Sequence, residues 1–279
     1  MTLILDGKAL AISREKLLRL RVSAWRQSHK GKPHLATILV GDDPSSFTYV
    51  RMKGNACNRI GLEQLLVHMP ATTSTHELLQ QINALNDNPN VFGILLQHPV
   101  PPQIDERACF EEIAIQKDTD GVTTQGFGRM AMGLHAYGSA TPTGIMTLLR
   151  EHQVKVRGRR AVVIGRSPIL GKPMAAMLLN ADATVTVCHS RTDDLASVVA
   201  DANLVVAAVG KPLFIPGLWI PDDAVVVDAG YHAGGVGDID ALAHYRRWSA
   251  YTPVPGGVGP MTISALLENT VVSMESQNV

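Results

Sequence analysis

Arg159–Pro173, RRAVVIGRSPILGKP, decides the fold. Ala161, Val162, Val163 and Ile164 form a short apolar run rich in β-branched residues and stopped by Gly165, which predicts a buried parallel strand over Arg159–Gly165. The turn Gly165-Arg166-Ser167-Pro168-Ile169-Leu170-Gly171-Lys172-Pro173 follows, then a helical pattern over Lys172–Asn180. Pro is tolerated best at the first helical position, so the helix is expected to begin near Gly171. A glycine-rich strand-to-helix turn aims backbone N–H groups at a phosphate on the helix N-terminus. Ser167 stands where a standard G-x-G-x-x-G has its middle glycine, and one residue is added before Gly171. An ordinary connecting turn is the plainer alternative.

Working outward, the same alternation continues. Strands are expected at Thr184–Cys188, Leu204–Val209 and Ala224–Asp228, with a helix at Leu195–Ala202. That β-α-β-α-β-β series describes a small Rossmann-like sheet. A dinucleotide site reads its ribose about 20 residues past the glycine turn, where NAD requires a carboxylate. Here that place holds Ser190 and Arg191, and Arg166 can add a second cation. A hydroxyl and guanidinium groups suit a 2′-phosphate, so NADP is the expected cofactor, with Asp193 and Asp194 close enough to keep NAD as the alternative.

The N-terminal half is also α/β. Helices are expected at Ala11–Arg26 and Thr75–Asn86, the latter capped by Ser74 or Thr75. Strands are expected at Leu35–Val40, Gln64–Met69 and Val91–Gln97. Gln97 then stands at a carboxyl strand end, where open α/β sheets place their ligands. Between the first two strands, Tyr49-Val50-Arg51-Met52-Lys53 puts a phenol and an amine four residues apart, on one helical face. In a partly apolar cleft this is an acid/base pair, because burial lowers the pKa of an ammonium; on an exposed helix it is only a surface pair. Ala114–Tyr137 reads as an irregular connection, Thr143–Gln153 as a helix, and Ile263–Met274 as the last helix.

Composition narrows the function. The 279 residues suffice for two domains, and 25 basic residues balance 25 acidic ones, which argues against nucleic acid as the main partner. Three separated cysteines and the lack of C-x-x-C or H-E-x-x-H spacing predict a reducing cytoplasm and no metal. The apolar start, interrupted by Asp6 and Lys8, is too short and too charged for a signal peptide or a membrane span.

Taken in order, Tyr49-x-x-x-Lys53, Gln97-His98-Pro99, Lys117-Asp118-Thr119-Asp120-Gly121, Gly165-Arg166-Ser167 and Pro253–Thr262 (PVPGGVGPMT) resemble the bifunctional methylenetetrahydrofolate dehydrogenase/methenyltetrahydrofolate cyclohydrolase family. The resemblance runs from about Leu5 to the last helix. It implies a two-domain α/β enzyme: an N-terminal folate-binding catalytic domain completed by the C-terminal helix (1–137 plus 253–279), a Rossmann-like NADP-binding domain (138–252), and folate in the cleft between them. It further implies a homodimer paired through the nucleotide domains.

Residue by residue, the resemblance makes Lys53 the catalytic lysine and Tyr49 the ring that packs on the substrate. Gln97 becomes the lysine's partner, and Asp120 the carboxylate that grips the pterin. Pro255, Gly256 and Gly257 line the folate pocket, while Gly165, Arg166, Ser167, Ser190 and Tyr231 contact the cofactor. The chain departs from the family pattern at Asn55, His98, Gly126, Ala140, Thr143 and Asp228-Ala229-Gly230, most of which would line or support the folate cleft. A relative that keeps one step or takes a modified pterin, and a catalytically silent nucleotide-binding subunit, are the competing expectations. The intact quartet Tyr49, Lys53, Gln97 and Asp120 argues against the last.

Overall fold

The sequence folds as two parallel-sheet units, here described from a computed structural model over residues 2–241 and 244–277. One unit comprises residues 1–12, 130–134 and 139–262; the other comprises 13–129, 135–138 and 263–279. Leu3–Ile4 and the Pro253–Thr262 segment therefore fall in the unit that holds the Gly165 turn.

In that unit six parallel strands run in the order Leu3–Ile4, Ala250–Tyr251, Val225–Asp228, Leu204–Ala207, Arg160–Ile164, Thr184–Cys188. Successive strand side chains point to opposite faces. Ala161, Val163, Leu204, Val206, Val225 and Val227 accordingly enter one buried cluster, and Val162, Ile164, Val205, Ala207 and Val226 enter another. Both faces are covered, which is why these strands read as continuous apolar runs rather than alternating ones.

The Arg160–Ile164 strand passes through Gly165 into the helix Gly171–Asn180. Gly165 adopts φ +129°, and a Cβ there would lie 2.1 Å from the Ala208 carbonyl oxygen. Ser167 closes the turn: its Oγ accepts from the Gly171 N–H at 3.2 Å and its carbonyl from the Lys172 N–H at 3.1 Å.

The other unit has a three-stranded parallel sheet, Glu63–Met69, His34–Val40, Val91–Leu96, with His34–Val40 in the centre. Its helices start on clear signals. Asp43 caps Pro44–Ile60 by accepting from the Ser46 N–H at 2.7 Å, and Gly61 ends that helix at φ +89°. Ser74 and Glu77 form a capping box on Thr75–Asp87. Lys117 is buried, and its ammonium donates to the carbonyls of Leu85, Asn86 and Asn88 at 3.2, 2.7 and 2.8 Å, completing the end of that helix.

Several stretches differ from the sequence expectation, among them the helix expected at Thr143–Gln153, which is Ala140–Glu151, and the ends of Leu204–Ala207 and Leu195–Ala200, which fall two residues short. The span read as irregular carries a helix, Thr124–Ala131, preceded by a 3₁₀ turn at Ile115–Lys117, while Glu106–Glu112 is a further helix. Thr123 starts Thr124–Ala131 by accepting from the Gly126 N–H through Oγ1 and from the Phe127 N–H through its carbonyl, which overrides the low helix propensity of Gly126 and Gly128. The last helix begins at Val258, five residues before the expected Ile263, because Pro260 falls in its first turn. The first helix begins at Gly7, ahead of the expected Ala11, with the Asp6 carboxylate accepting from the Ala9 N–H at 2.9 Å.

Two glycines with opposite surroundings test this packing. A Cβ at Gly171 would lie 2.3 Å from the Gly165 carbonyl oxygen and 2.7 Å from the Arg166 nitrogen, both backbone atoms that cannot yield cheaply. At Gly128, inside a helix, nothing lies within 4 Å. Gly171→Ala should destabilise by about 1–3 kcal/mol, and Gly128→Ala should stabilise by up to about 1 kcal/mol. Thermal unfolding of the two variants should therefore move in opposite directions.

Candidate functional site

Spacing puts Tyr49, Lys53 and Cys57 on one face of the Pro44–Ile60 helix. Lys53 is half-buried, and its ammonium donates to Gln97 Oε1 at 3.0 Å. Gln97 is held from both sides: its backbone N–H donates to the Ile38 carbonyl at 2.9 Å, and its Nε2 donates to the His98 carbonyl at 2.7 Å. The second bond sets the amide so that its oxygen faces the lysine. Burial pushes the Lys53 pKa down from 10.5, opposed in part by the Asp120 carboxylate. Asp120 is shifted upward, again chiefly by burial, with Lys53 and His98 pulling the other way. The two groups thus restrain each other's shift.

Cys57, one turn further along the same face, is fully buried, and burial pushes its thiol up to about 12. It stays protonated and is no nucleophile at neutral pH. Tyr49, at the other end of the stripe, is 38% exposed and presents its ring to the surroundings.

The two carboxylates of Lys117–Gly121 divide the work. Asp118 is buried and accepts from the Val122 N–H at 2.9 Å, the Thr123 N–H at 3.0 Å and the Thr123 hydroxyl at 2.7 Å. It builds the turn, which Gly121 completes at φ +67°. Asp120 is thereby presented on the same unit as Lys53. The last helix anchors the turn from behind. Asn269 Nδ2 donates to the Thr119 carbonyl at 2.9 Å, and Ser273 Oγ donates to the Gln116 carbonyl at 2.8 Å. Sequence reasoning missed both; their i, i+4 spacing on an apolar helix was the available signal.

The departures sort by place. Asn55 lies two residues from Lys53, hence about 200° around the helix. It lines a cavity of about 210 Å³ with Phe47, Val50, Arg51, Gly54, Asn58, Gln64 and Leu66, away from the lysine face. His98 Nδ1 sits 2.6 Å from Glu106 Oε1, so its ring is fixed beside Gln97. Gly126 is in the first turn of Thr124–Ala131, and Ala140 and Thr143 open the Ala140–Glu151 helix. Asp228 accepts from the N–H groups of Gly230, Asp238 and Ile239, each at 2.9 Å.

In the six-stranded unit the expected cofactor residues follow adjacent strand ends. Cys188 pairs with Ile164, Ile164 with Ala207, and Ala207 with Asp228. Ser190 and Arg191 follow the first of these, Gly165, Arg166 and Ser167 the second, and Tyr231 the last. All lie beyond the carboxyl edge, where such sheets bind nucleotides. Arg166, Ser190, Arg191 and Tyr231 are exposed, and among the described residues neither guanidinium is engaged in an ion pair. A turn without Cβ crowding and two available cations fit a phosphate-bearing dinucleotide. Pro255, Gly256 and Gly257 lie in this unit too, with the Gly256 carbonyl accepting from Lys8 N–H at 2.8 Å. The structure thus groups Tyr49, Lys53, Gln97 and Asp120 in one unit and the Pro255–Gly257 loop with the cofactor residues in the other.

Two family models match the chain, with bounds that differ from the two units at residues 5–12 and 263–278. The family model described as tetrahydrofolate dehydrogenase/cyclohydrolase, catalytic domain, matches residues 5–120, and its NAD(P)-binding domain counterpart matches residues 139–278. The bifunctional protein FolD of Cellvibrio japonicus is 62% identical over 275 residues, covering 99% of this chain and 98% of the relative. The crystal structure of the bifunctional FolD methylenetetrahydrofolate dehydrogenase/cyclohydrolase from Campylobacter jejuni matches with a TM-score of 0.96 at 40% identity, over 99% of this chain and 100% of that one. The Trypanosoma brucei methylenetetrahydrofolate dehydrogenase-cyclohydrolase, solved with NADP and an inhibitor, matches with a TM-score of 0.94 at 35% identity, over 99% of this chain and 98% of that one.

The turn carboxylate gives a pH test. Burial raises Asp118 from 3.8 to about 6, outweighing its three hydrogen bonds and aided by the nearby Asp120. Between those values the folded chain holds a proton that the unfolded chain releases, so Asp118 makes stability fall as pH rises through this window. One proton allows a slope of at most about 1.4 kcal/mol per pH unit. Asp118→Asn should remove that slope while costing about 1–3 kcal/mol near neutral pH, because its amide leaves a buried N–H unpaired. Denaturant midpoints from about pH 4 to about pH 7 for both proteins measure the difference.

Proposed function

Because the chain belongs to the tetrahydrofolate dehydrogenase/cyclohydrolase family, we propose that it oxidises 5,10-methylenetetrahydrofolate to the 5,10-methenyl form with NADP and hydrolyses that product to 10-formyltetrahydrofolate. The observation that carries this reading is Lys53 bonded to Gln97 on the same unit as Asp120.

NADP, when bound, supplies the acceptor for the hydride that leaves the methylene bridge. The remaining work belongs to the chain. Hydrolysis forms a bond from water oxygen to the methenyl carbon and breaks the bond from that carbon to N5. Of the two water protons, one ends on N5 and one is released to solvent. A lysine with lowered pKa takes a proton from the attacking water in its neutral form and returns it to N5 as an ammonium. Gln97 orients that amine without adding a charge, since a carboxamide cannot be ionised here. Asp120 accepts paired hydrogen bonds from the amino-pyrimidinone of the pterin. Tyr49 packs its ring against the substrate's aromatic portion. Arg166, Ser190 and Arg191 hold the 2′-phosphate, which selects NADP over NAD.

The reading extends to assembly and location. Thr184–Cys188 is an edge strand whose outer residues, with Val187 at 39% exposure and Leu179 at 62% on the adjacent helix, leave an apolar surface suited to a second copy. A homodimer paired there follows. Three free, buried thiols support a cytoplasmic enzyme, and among the described residues no helix is long and apolar enough to cross a membrane.

Lys53→Met keeps the length of the side chain and removes the proton carrier. Its hydrolytic rate should fall by about 10²–10⁴-fold, while hydride transfer remains measurable and the methenyl compound accumulates in a coupled absorbance assay. Retention of both rates would show that Lys53 is not the acid/base, and loss of both with NADP still bound would make it a substrate-holding residue.

A further inference from the structure

Two acidic residues in the six-stranded unit, Asp228 and Asp238, tie together two of the loops at its carboxyl edge. The loops after Leu204–Ala207 and Val225–Asp228 leave neighbouring parallel strands at the same edge. Asp238, 0% exposed, reaches the first loop with both oxygens. Oδ2 accepts from the N–H groups of Val209 at 2.7 Å and Gly210 at 3.0 Å, and Oδ1 accepts from Lys211 N–H at 3.0 Å. The same Oδ1 lies 2.8 Å from His232 Nε2, which belongs to the second loop. Asp238 is itself seated by Asp228, whose Oδ1 accepts its N–H at 2.9 Å.

The packing leaves no freedom. A Cβ at Gly230 would fall 2.4 Å from Asp238 Oδ1, and one at Gly237 would fall 2.0 Å from Asp228 Oδ2. Upstream, Ala208 joins this loop to the glycine turn, since its carbonyl lies where a Gly165 Cβ would point. The hub therefore holds two loops directly, 209–211 and 229–232, and the first of them begins beside the glycine turn.

An unpaired carboxylate at this edge would repel an anionic dinucleotide. Three backbone N–H groups and the His232 ring N–H occupy the acceptor positions of Asp238, so its carboxylate is paired rather than free. His232 is partly exposed, with 21% of its side chain accessible, so it is the one side chain of the hub that links the buried carboxylate to the surface.

We propose that His232 is a positioning residue for the dinucleotide: by donating to Asp238 it fixes the Val209–Lys211 and Ala229–His232 loops in the conformation that receives the cofactor. This rests on the NADP site described above. The expected consequence is a split between cofactor affinity and cofactor-independent chemistry. In His232→Ala the dissociation constant for NADP, measured by calorimetric titration, rises about tenfold, the scale of one charge-assisted hydrogen bond. Hydrolysis of the methenyl substrate, assayed without NADP, keeps its rate and its KM. His232→Gln, which retains an uncharged N–H donor, recovers most of the affinity.

Unchanged NADP affinity in His232→Ala overturns the proposal, as does an equal loss in NADP-free hydrolysis, which would mark a general structural role. Arg166→Ala, titrated alongside, separates this inference from the reading beneath it. Weakened binding in Arg166→Ala with none in His232→Ala defeats the positioning role alone, whereas no loss in either variant defeats the cofactor site.

Discussion

The Lys53 ammonium meets a neutral acceptor, Gln97 Oε1 at 3.0 Å, in a half-buried position where a carboxylate partner would have been the stronger choice. Burial disfavours the charged form, and an amide oxygen does not compensate as a carboxylate would. The carboxylate in reach, Asp120, pulls the other way without making a hydrogen bond of its own to the lysine that would lock both as ions. The result is an amine whose charged form is less favoured than that of a lysine in water. Much of the surrounding structure maintains this balance. Asp43 fixes the start of the lysine's helix, the strand end fixes Gln97 through Ile38, and the His98 carbonyl fixes which way the amide points.

Carboxylates elsewhere are spent on the backbone. Asp118 binds Val122 and Thr123, Asp228 binds Gly230, Asp238 and Ile239, and Asp238 binds Val209, Gly210 and Lys211. Each gathers N–H groups from a loop that ordinary strand or helix pairing cannot satisfy, which is the general requirement for buried polar groups. Loops at carboxyl strand ends must hold a shape without a ladder of their own. In this chain acidic side chains supply it, and each loop so held carries or adjoins a residue of the proposed sites.

Local signals made much of this readable. Thr184–Cys188 was expected with the bounds it has, and the i, i+4 spacing of Tyr49 and Lys53 needed only a helix to place them on one face. The apolar run and glycine turn at 159–173 sufficed for the sheet and its crevice because both depend on residues adjacent in sequence. What escaped depends on distance or on competition. Leu3–Ile4 is a two-residue strand whose partner, Ala250–Tyr251, is nearly the whole chain away, so no local pattern marks it. The Thr124–Ala131 helix contains two glycines and exists through its Thr123 cap and tertiary setting. Asp118 and Asp120 are the same residue type two positions apart, and only the turn decides which of them faces inward. Asn269, Asp238 and His232 act on backbone far from or across loops, where side-chain identity gives no hint of partner.

The balance at Lys53 is open to direct observation. In protein carrying ¹³C at the lysine Cε positions, the Lys53 resonance, assigned by its absence in Lys53→Met, can be followed through a pH titration. The account predicts a midpoint below the ordinary 10.5, and a further fall in Asp120→Asn, because removing that carboxylate removes the opposing pull. A midpoint at or above 10.5 in the parent protein would contradict it.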